Sequence, residues 1–203
     1  MTRFILVRHG EVEGINPERF RGRMDLALTD RGRRQAAATA ARLAARQAVA
    51  VYTSPLRRSI DTGDAIAKAS GLTSQPTEAL NDLDYGEWQW MTHDEVQAES
   101  PDKLRRWFSA PQLMRFPGGE SLQDLVARTA DAVRSVLEAH AGRTVVLVGH
   151  DSVNRAILLQ MLDQPLSAYW RLAQSPCGVS EIEVEGDRAT VVTMNDVSHL
   201  EGL

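Results

Sequence analysis

The 203-residue sequence contains one cysteine, Cys177, and no run of 18 consecutive apolar residues. A single cysteine excludes an internal disulfide and a cysteine-based zinc site. Without a long apolar run, no segment predicts a membrane-spanning helix. Residues 1–10 hold an apolar run of only four residues before Arg8, which is too short for a signal peptide. We therefore expect a soluble, cytoplasmic protein with no membrane partner.

Lysine is scarce, because Lys68 and Lys103 are the only two and the remaining 21 of the 23 basic residues are arginines. With 27 acidic residues the formal net charge is −4, which argues against a general nucleic-acid-binding function. The excess of arginine has two interpretations. It reflects either codon bias of the source genome or binding of phosphate and carboxylate groups by the planar guanidinium. Only the positions of the arginines can decide.

Short apolar runs alternate with helical patterns along the chain. Predicted strands cover residues 3–7, 49–52 and 144–148, and a hairpin joins 179–185 to 189–193 at one sheet edge. Predicted helices cover residues 33–47, 54–70, 92–99, 102–108 and 152–162, with a long amphipathic helix after Ser121. Ser54 and Pro55 are interpreted as the N-cap and first residue of the second helix, and no strand is predicted between residues 70 and 144. The alternation favours an α/β fold with a mostly parallel sheet.

Polar residues that can handle phosphate follow three of the predicted strands. Arg8-His9 follows the first strand, Ser54 to Arg58 follows the second, and His150 follows the third. Ligands of parallel sheets bind beyond the carboxyl ends of the strands, so we expect two histidines and at least two arginines in one crevice.

This set of side chains suits phosphoryl transfer. A neutral imidazole can attack phosphorus and carry the group as phosphohistidine, while arginines stabilise the charge on the phosphoryl oxygens. A protonated carboxyl group must supply a proton to the leaving oxygen, and Asp82, Asp84 and Glu87 are the candidates. The scheme needs no metal and no cofactor, and no histidine pair has the spacing of a metal site.

Several motifs, taken in order and spacing, resemble those of the histidine phosphatase superfamily over residues 3–200. They are Arg8-His9-Gly10-Glu11, Arg19-Phe20-Arg21-Gly22, Thr53-Ser54-Pro55-Leu56-Arg57-Arg58, Leu80-Asn81-Asp82 through Tyr85-Gly86-Glu87-Trp88, Phe116-Pro117-Gly118-Gly119-Glu120-Ser121 and Val148-Gly149-His150.

The resemblance implies a single domain over 1–203 with a phosphoglycerate-mutase-like fold. Such a fold is a three-layer sandwich in which helices flank a mostly parallel central sheet. A small helical cap insertion is expected over residues 88–118. Its aromatic residues Trp88, Trp90, Trp107 and Phe108 are interpreted as a small core.

The resemblance also assigns roles to individual residues. His9 would be the phosphorylated nucleophile and Arg8 would bind the phosphoryl oxygens. Arg58, rather than Arg57, matches the second arginine of the family. His150 would be the second histidine, donating to the phosphate and stabilising the transition state. Independently of the resemblance, Arg21 and Arg23 are interpreted either as residues of a solvated loop or as a guide for anionic substrates.

The chain departs from the family pattern at three places. Asp82 stands where a glutamate proton donor is usual, with Glu87 and Asp84 as rivals for that role. Ile15 stands where asparagine is common, so the neighbouring Asn16 becomes the candidate for reaching the phosphate. Asp151-Ser152 follows the second histidine, where many members have glycine.

The leading interpretation is a phosphatase that hydrolyses small phosphate monoesters, acting as a monomer or homodimer. The alternatives are a phosphoglycerate mutase, which would return the phosphoryl group to another hydroxyl, and a non-catalytic phosphate-binding protein.

Overall fold

The computed structural model describes residues 1–15 and 17–203, which form six strands and six α-helices. The strands are β1 (Thr2–Arg8), β2 (Ala48–Thr53), β3 (Ser74–Pro76), β4 (Thr144–Gly149), β5 (Val179–Glu185) and β6 (Arg188–Asp196). The helices are α1 (Asp30–Leu43), α2 (Arg57–Ala69), α3 (His93–Glu99), α4 (Pro101–Ser109), α5 (Leu122–Ala139) and α6 (Asp151–Met161). Short 3-10 turns connect several of these elements.

The strands form one six-stranded sheet in the order β3-β2-β4-β1-β5-β6. The four strands from β3 to β1 run parallel, and β5 and β6 form an antiparallel hairpin at one edge. Because β1 and β4 are central neighbours, Arg8 pairs in register with Gly149, and the residues that follow them emerge side by side. The predicted α/β fold with a mostly parallel sheet is confirmed.

Alternate residues of the central strands face two separate cores. Phe4 and Leu6 of β1 pack on the side of α5 and α6, whereas Ile5 and Val7 pack on the side of α1 and α2. All four side chains are nearly fully buried, which explains why β1 is a continuous apolar run. Helices on both faces complete the three-layer arrangement.

Two predictions about local structure are wrong. The strand β3 was not predicted, because its three residues are short and polar and depend on parallel pairing with β2. Helix α2 begins at Arg57, not at Ser54-Pro55. The Ser54 amide donates to the Val148 carbonyl at 3.0 Å, and Leu56 keeps an extended backbone, so the chain turns before the helix starts.

The excursion over residues 88–118 contains α3 and α4. Trp107 is fully buried and packs edge-on against Phe116 and Trp170, with ring centroids 4.9 and 5.1 Å away. Trp88 is also buried, whereas Phe108 is 44% exposed and leans on Trp170. The excursion is therefore fastened to the main body through aromatic contacts. Within the described part of the chain, no helix combines the length and apolarity needed to cross a bilayer.

Gly86 occupies a position that only glycine fits, and this gives a testable prediction. Its φ is +53°, and a Cβ there would collide with the Pro117 carbonyl oxygen. Gly71 also has a positive φ, of +69°, but a Cβ there would meet nothing within 4 Å. We expect Gly86→Ala to lower the free energy of unfolding by about 2–4 kcal/mol, and Gly71→Ala by about 1–2 kcal/mol, in urea titrations. Equal losses of unfolding free energy in the two variants would contradict the view that the collision with the Pro117 carbonyl adds to the cost at Gly86.

Candidate active site

A cavity of about 260 Å³ opens at the carboxyl ends of the central strands. Charged residues and aromatic side chains line it. Among them are Arg8, Arg21, Asp82, Tyr85, Trp107, Asp151, Arg155 and Trp170. His9, Arg58 and His150 are not among the lining residues, but Arg58 and His150 contact Asp82, which is, and His9 contacts Arg58.

His9 is 2% exposed and its tautomer follows from its two hydrogen bonds. The Gly10 carbonyl lies 2.7 Å from Nδ1, and a carbonyl can only accept, so Nδ1 carries the proton. Arg58 Nε donates to Nε2 over 3.1 Å, so Nε2 keeps its lone pair. Burial lowers the pKa of His9 well below its ordinary value, and Arg58 lowers it further. His9 is therefore a neutral imidazole with an unprotonated Nε2.

The glycine after His9 has a structural reason. A Cβ at Gly10 would lie 2.6 Å from the Gly32 carbonyl oxygen, so only glycine allows the start of α1 to pack this closely. The Gly10 amide also donates to Thr62 Oγ1 at 3.1 Å, which ties the loop to α2. The same α2 carries Arg58, so His9 and the guanidinium are held in one rigid unit.

Arg58 connects the His9 imidazole to the Asp82 carboxylate. Its guanidinium is fully buried and donates to Asp82 Oδ2 at 3.0 Å. It also donates to the carbonyls of Gly22 and Met24, both at 2.6 Å. These neutral acceptors replace the water that the buried cation has lost.

Asp82 is buried between hydrogen-bond donors. Ser152 Oγ donates to Oδ1 at 2.5 Å, and the Leu83 amide donates to the same oxygen at 2.8 Å. Burial raises the pKa of Asp82 above its ordinary value, although Arg58 and Ser152 act in the opposite direction. A raised pKa favours the protonated form that a general acid requires.

His150 is fully buried, and neither ring nitrogen has a hydrogen-bond partner among the described residues. Its ring centroid lies 5.1 Å from that of His9, and its Nδ1 lies 3.4 Å from Asp82 Oδ2. Burial lowers the pKa of His150 well below its ordinary value, and Arg58 and Arg8 add to that effect. Unpaired buried ring nitrogens are costly, and these two are available to form a hydrogen bond with a bound anion.

Comparison with known proteins identifies the family. The family model described as histidine phosphatase superfamily (branch 1) matches residues 4–197. The chain belongs to this superfamily.

Similar proteins cover nearly the whole chain. A protein named phosphoserine phosphatase 1 from Hydrogenobacter thermophilus is 33% identical over 98% of this chain and 95% of its own length. A protein named probable phosphoglycerate mutase GpmB from Salmonella choleraesuis is 31% identical over 99% of this chain and 96% of its own. The solved structure of YhfR from Bacillus stearothermophilus superposes with a TM-score of 0.94 at 32% identity, covering 99% of this chain and all of that one. Together with the family match, the relatives named as phosphatases show a phosphatase of the histidine phosphatase superfamily.

In this histidine phosphatase the residues predicted for the site mostly come together. Arg8 lines the cavity and donates to the Gln174 carbonyl at 2.6 Å, while its Nε has no partner among the described residues. Arg21 also lines the cavity and donates to the Gly14 carbonyl at 2.7 Å. Asn16 lies outside the described residues. Arg57 is exposed, in contrast to the buried Arg58.

The rivals of Asp82 lie elsewhere. Glu87 is exposed and does not line the cavity. Asp84 is partly buried, and its carboxylate lies 3.5 Å from Arg23 and accepts from the Gly86 amide. Over residues 1–15 and 17–203, no three His, Cys, Asp or Glu side chains group as metal ligands would.

Two residues that position Asp82 were not predicted from the sequence. Arg128 donates to the carbonyls of Asn81 and Asp82 at 2.6 and 2.9 Å. Glu120 accepts from Arg128 Nε at 2.9 Å and from the Asp84 amide at 3.0 Å. Glu120 belongs to the Phe116–Ser121 motif, but nothing in the sequence predicted its contacts. Arg128 has the pattern of an ordinary polar residue on an amphipathic helix.

The unpaired nitrogens of His150 lead to a prediction about ligand binding. We expect His150→Ala to weaken binding of inorganic phosphate about tenfold or more, because a hydrogen bond to a charged group is worth about 1.5–3 kcal/mol. Isothermal titration calorimetry measures the Kd. His140→Ala is the matched control, since His140 bonds Tyr52 at the end of α5, and its Kd should equal that of the wild type. Equal Kd values for all three proteins would contradict a role of His150 in anion binding.

Proposed function

We propose that this phosphatase hydrolyses small phosphate monoesters without a metal ion, through a phosphohistidine on His9. The observation that carries the proposal is the chain of contacts from His9 Nε2 to Arg58 Nε at 3.1 Å and from Arg58 to Asp82 at 3.0 Å. In support of the proposal, these contacts join a neutral imidazole, a guanidinium group and a carboxyl group of raised pKa in one buried cluster.

The reaction has two steps in this scheme. The lone pair on His9 Nε2 attacks phosphorus, the ester P–O bond breaks, and Asp82 gives its proton to the leaving oxygen. Water then attacks the phosphohistidine, Asp82 takes a proton from that water, and the P–N bond breaks. Inorganic phosphate is released and His9 returns to its neutral form. The Gly10 carbonyl supports the intermediate by accepting from Nδ1–H throughout.

Binding of the substrate would itself prepare Asp82. The phosphoryl group is negatively charged and competes with Asp82 for the Arg58 guanidinium. Asp82 would lose part of its ion pair and gain a negative neighbour, and both changes favour its protonated form. The proton donor would then be ready only when a substrate is present.

The phosphoryl oxygens would be held by the groups that have free donors. His150 and the Nε of Arg8 lack partners among the described residues, and Arg21 lines the same cavity. We assign these residues, with Asn16, to substrate binding. Guanidinium groups around the equatorial oxygens would stabilise the transition state.

Small phosphorylated metabolites are the proposed substrates. A cavity of about 260 Å³ suits a small ester, and one relative is named for phosphoserine. The net charge of −4 disfavours nucleic-acid partners. We propose that the protein acts in the cytoplasm as a monomer or homodimer.

A mutase is the second candidate, because one relative is named a probable phosphoglycerate mutase. A mutase would return the phosphoryl group from His9 to a hydroxyl of an acceptor. It would depend on a bisphosphate primer and release little inorganic phosphate. Measuring the release of inorganic phosphate separates the two functions.

The nucleophile is tested by phosphate release from p-nitrophenyl phosphate and a panel of phosphorylated metabolites, with EDTA present. We expect turnover by the wild type and its loss in His9→Ala, because no other described group offers a neutral Nε2 at this position. Acid-labile ³²P labelling should be seen in the wild type only. Turnover that EDTA abolishes, or that His9→Ala retains, would contradict the proposal.

The proton donor is tested by the dependence on leaving group and pH. We expect Asp82→Asn to slow hydrolysis of an alkyl phosphate about 10²- to 10⁴-fold. It should slow p-nitrophenyl phosphate much less, since that leaving group needs no proton. Burial raises the pKa of Asp82, so kcat for the alkyl ester should fall as the pH rises through that raised value. Glu87→Gln is the control: it removes an exposed rival carboxylate and should keep wild-type kcat. If Glu87→Gln slowed the alkyl ester more than Asp82→Asn did, Asp82 would be rejected as the proton donor.

A further inference from the structure

Asp151 brings a negative charge into a cavity that must receive an anion. It is the first residue of α6, directly after His150, and it lines the cavity together with Arg8 and Asp82. Its side chain is 24% exposed. A carboxylate beside the phosphoryl-binding residues repels the substrate unless another group offsets it. Asp151 therefore costs binding energy unless it contacts something positive.

The charge on Asp151 cannot easily be removed by protonation. Burial disfavours the charged form, but the guanidinium groups of Arg8 and Arg155 hold the pKa of Asp151 well below its ordinary range. Asp151 is therefore ionised at neutral pH.

Arg155 binds only one oxygen, Oδ2, of the Asp151 carboxylate. Its NH1 donates to Asp151 Oδ2 at 2.9 Å, and its Nε donates to the Leu172 carbonyl at 2.8 Å. Its guanidinium also lies over the rings of Tyr169 and Trp170, at 5.1 and 5.0 Å from their centroids. Arg155 is thus fixed by groups other than Asp151, and it holds the carboxylate in one orientation.

The second oxygen of Asp151 is left for a ligand. Oδ1 accepts no hydrogen bond from the described residues, although the side chain borders the cavity. An ammonium group on the substrate would satisfy this oxygen and offset the repulsion of the phosphoryl group. The other carboxyl groups that line the cavity are Glu18, which is exposed, and Asp82, both of whose oxygens already accept hydrogen bonds.

We propose that Asp151 determines specificity by binding an ammonium group on the alcohol part of the substrate. The preferred substrates are then phosphate monoesters of amino alcohols or hydroxy amino acids. This inference rests on the proposed phosphatase function of the same cavity.

The test compares two esters that differ in one group, O-phosphoethanolamine and 2-hydroxyethyl phosphate. We expect the wild type to prefer the ammonium ester in kcat/KM. In Asp151→Asn the ratio of the two kcat/KM values should fall about tenfold to a hundredfold, the worth of a hydrogen bond to a charged group. O-phosphoserine and 3-phosphonooxypropanoate repeat the comparison with a carboxylate present.

Glu18→Gln is the matched control, because Glu18 also lines the cavity but is exposed at its mouth. It removes the same charge, and its substrate ratio should stay within about twofold of the wild type, as expected for a screened surface charge. A ratio that falls equally in both variants would show a long-range effect of charge and overturn the contact with Asp151. Equal losses on both esters in Asp151→Asn would show a merely structural role and also overturn it.

The wild-type ratio needs no variant, so the inference can be tested even if Asp151→Asn fails to fold. A wild type that hydrolyses p-nitrophenyl phosphate but prefers 2-hydroxyethyl phosphate would reject the role of Asp151 and leave the phosphatase function standing. Absence of turnover on every ester, p-nitrophenyl phosphate included, would instead reject the proposed function.

Discussion

The buried guanidinium of Arg58 is the interaction on which the rest of the site depends. It contacts Nε2 of His9 and the carboxylate of Asp82, and it does so from a fully buried position. A buried cation is tolerated only when its donors are satisfied, and the carbonyls of Gly22 and Met24 provide the remaining acceptors. The loop over residues 20–25 is therefore part of the site, although it contributes no reacting group.

The same cation lowers the pKa of both titrating groups. Burial keeps His9 neutral and Arg58 adds to that effect, because a positive neighbour disfavours imidazolium; Arg58 also partly restrains the pKa of Asp82, which burial raises. A phosphoryl anion that attracts Arg58 reduces both effects at once. In the proposed reaction, Asp82 would gain proton affinity as the leaving oxygen requires a proton. Nε2 of His9, once bonded to phosphorus, would have no lone pair left to protonate. One charged contact would thus link the proposed nucleophile and the proposed acid.

The strand-end residues at the centre of the site could be predicted from the sequence. The residues that hold them in place could not. Apolar runs before Arg8 and Gly149 predicted two strands whose ends carry His9 and His150 to one crevice, but only the structure shows that these strands are neighbours in register. Strand β3 has no such pattern and exists only through pairing with β2. The contacts of Arg128 with the backbone around Asp82 join residues 46 positions apart, and no local pattern carries them. Asn16 stays a prediction, because it lies outside the described residues.

Two of the departures from the family pattern are in contact with each other. Asp82 is one methylene shorter than glutamate, and a shorter acid needs firm placement to reach the leaving oxygen. Asp151 stands directly after the second histidine, where glycine is common, and Ser152 follows it. Ser152 Oγ donates to Asp82 Oδ1 at 2.5 Å. The Leu83 amide donates to the same oxygen, so Oδ1 already has two donors. Oδ2, which accepts from Arg58, is therefore the oxygen that can take up a proton when Arg58 turns to a phosphoryl group. In the proposed reaction, Ser152 would orient Asp82 toward the leaving oxygen, and the neighbouring Asp151 would bind the alcohol part of the same substrate.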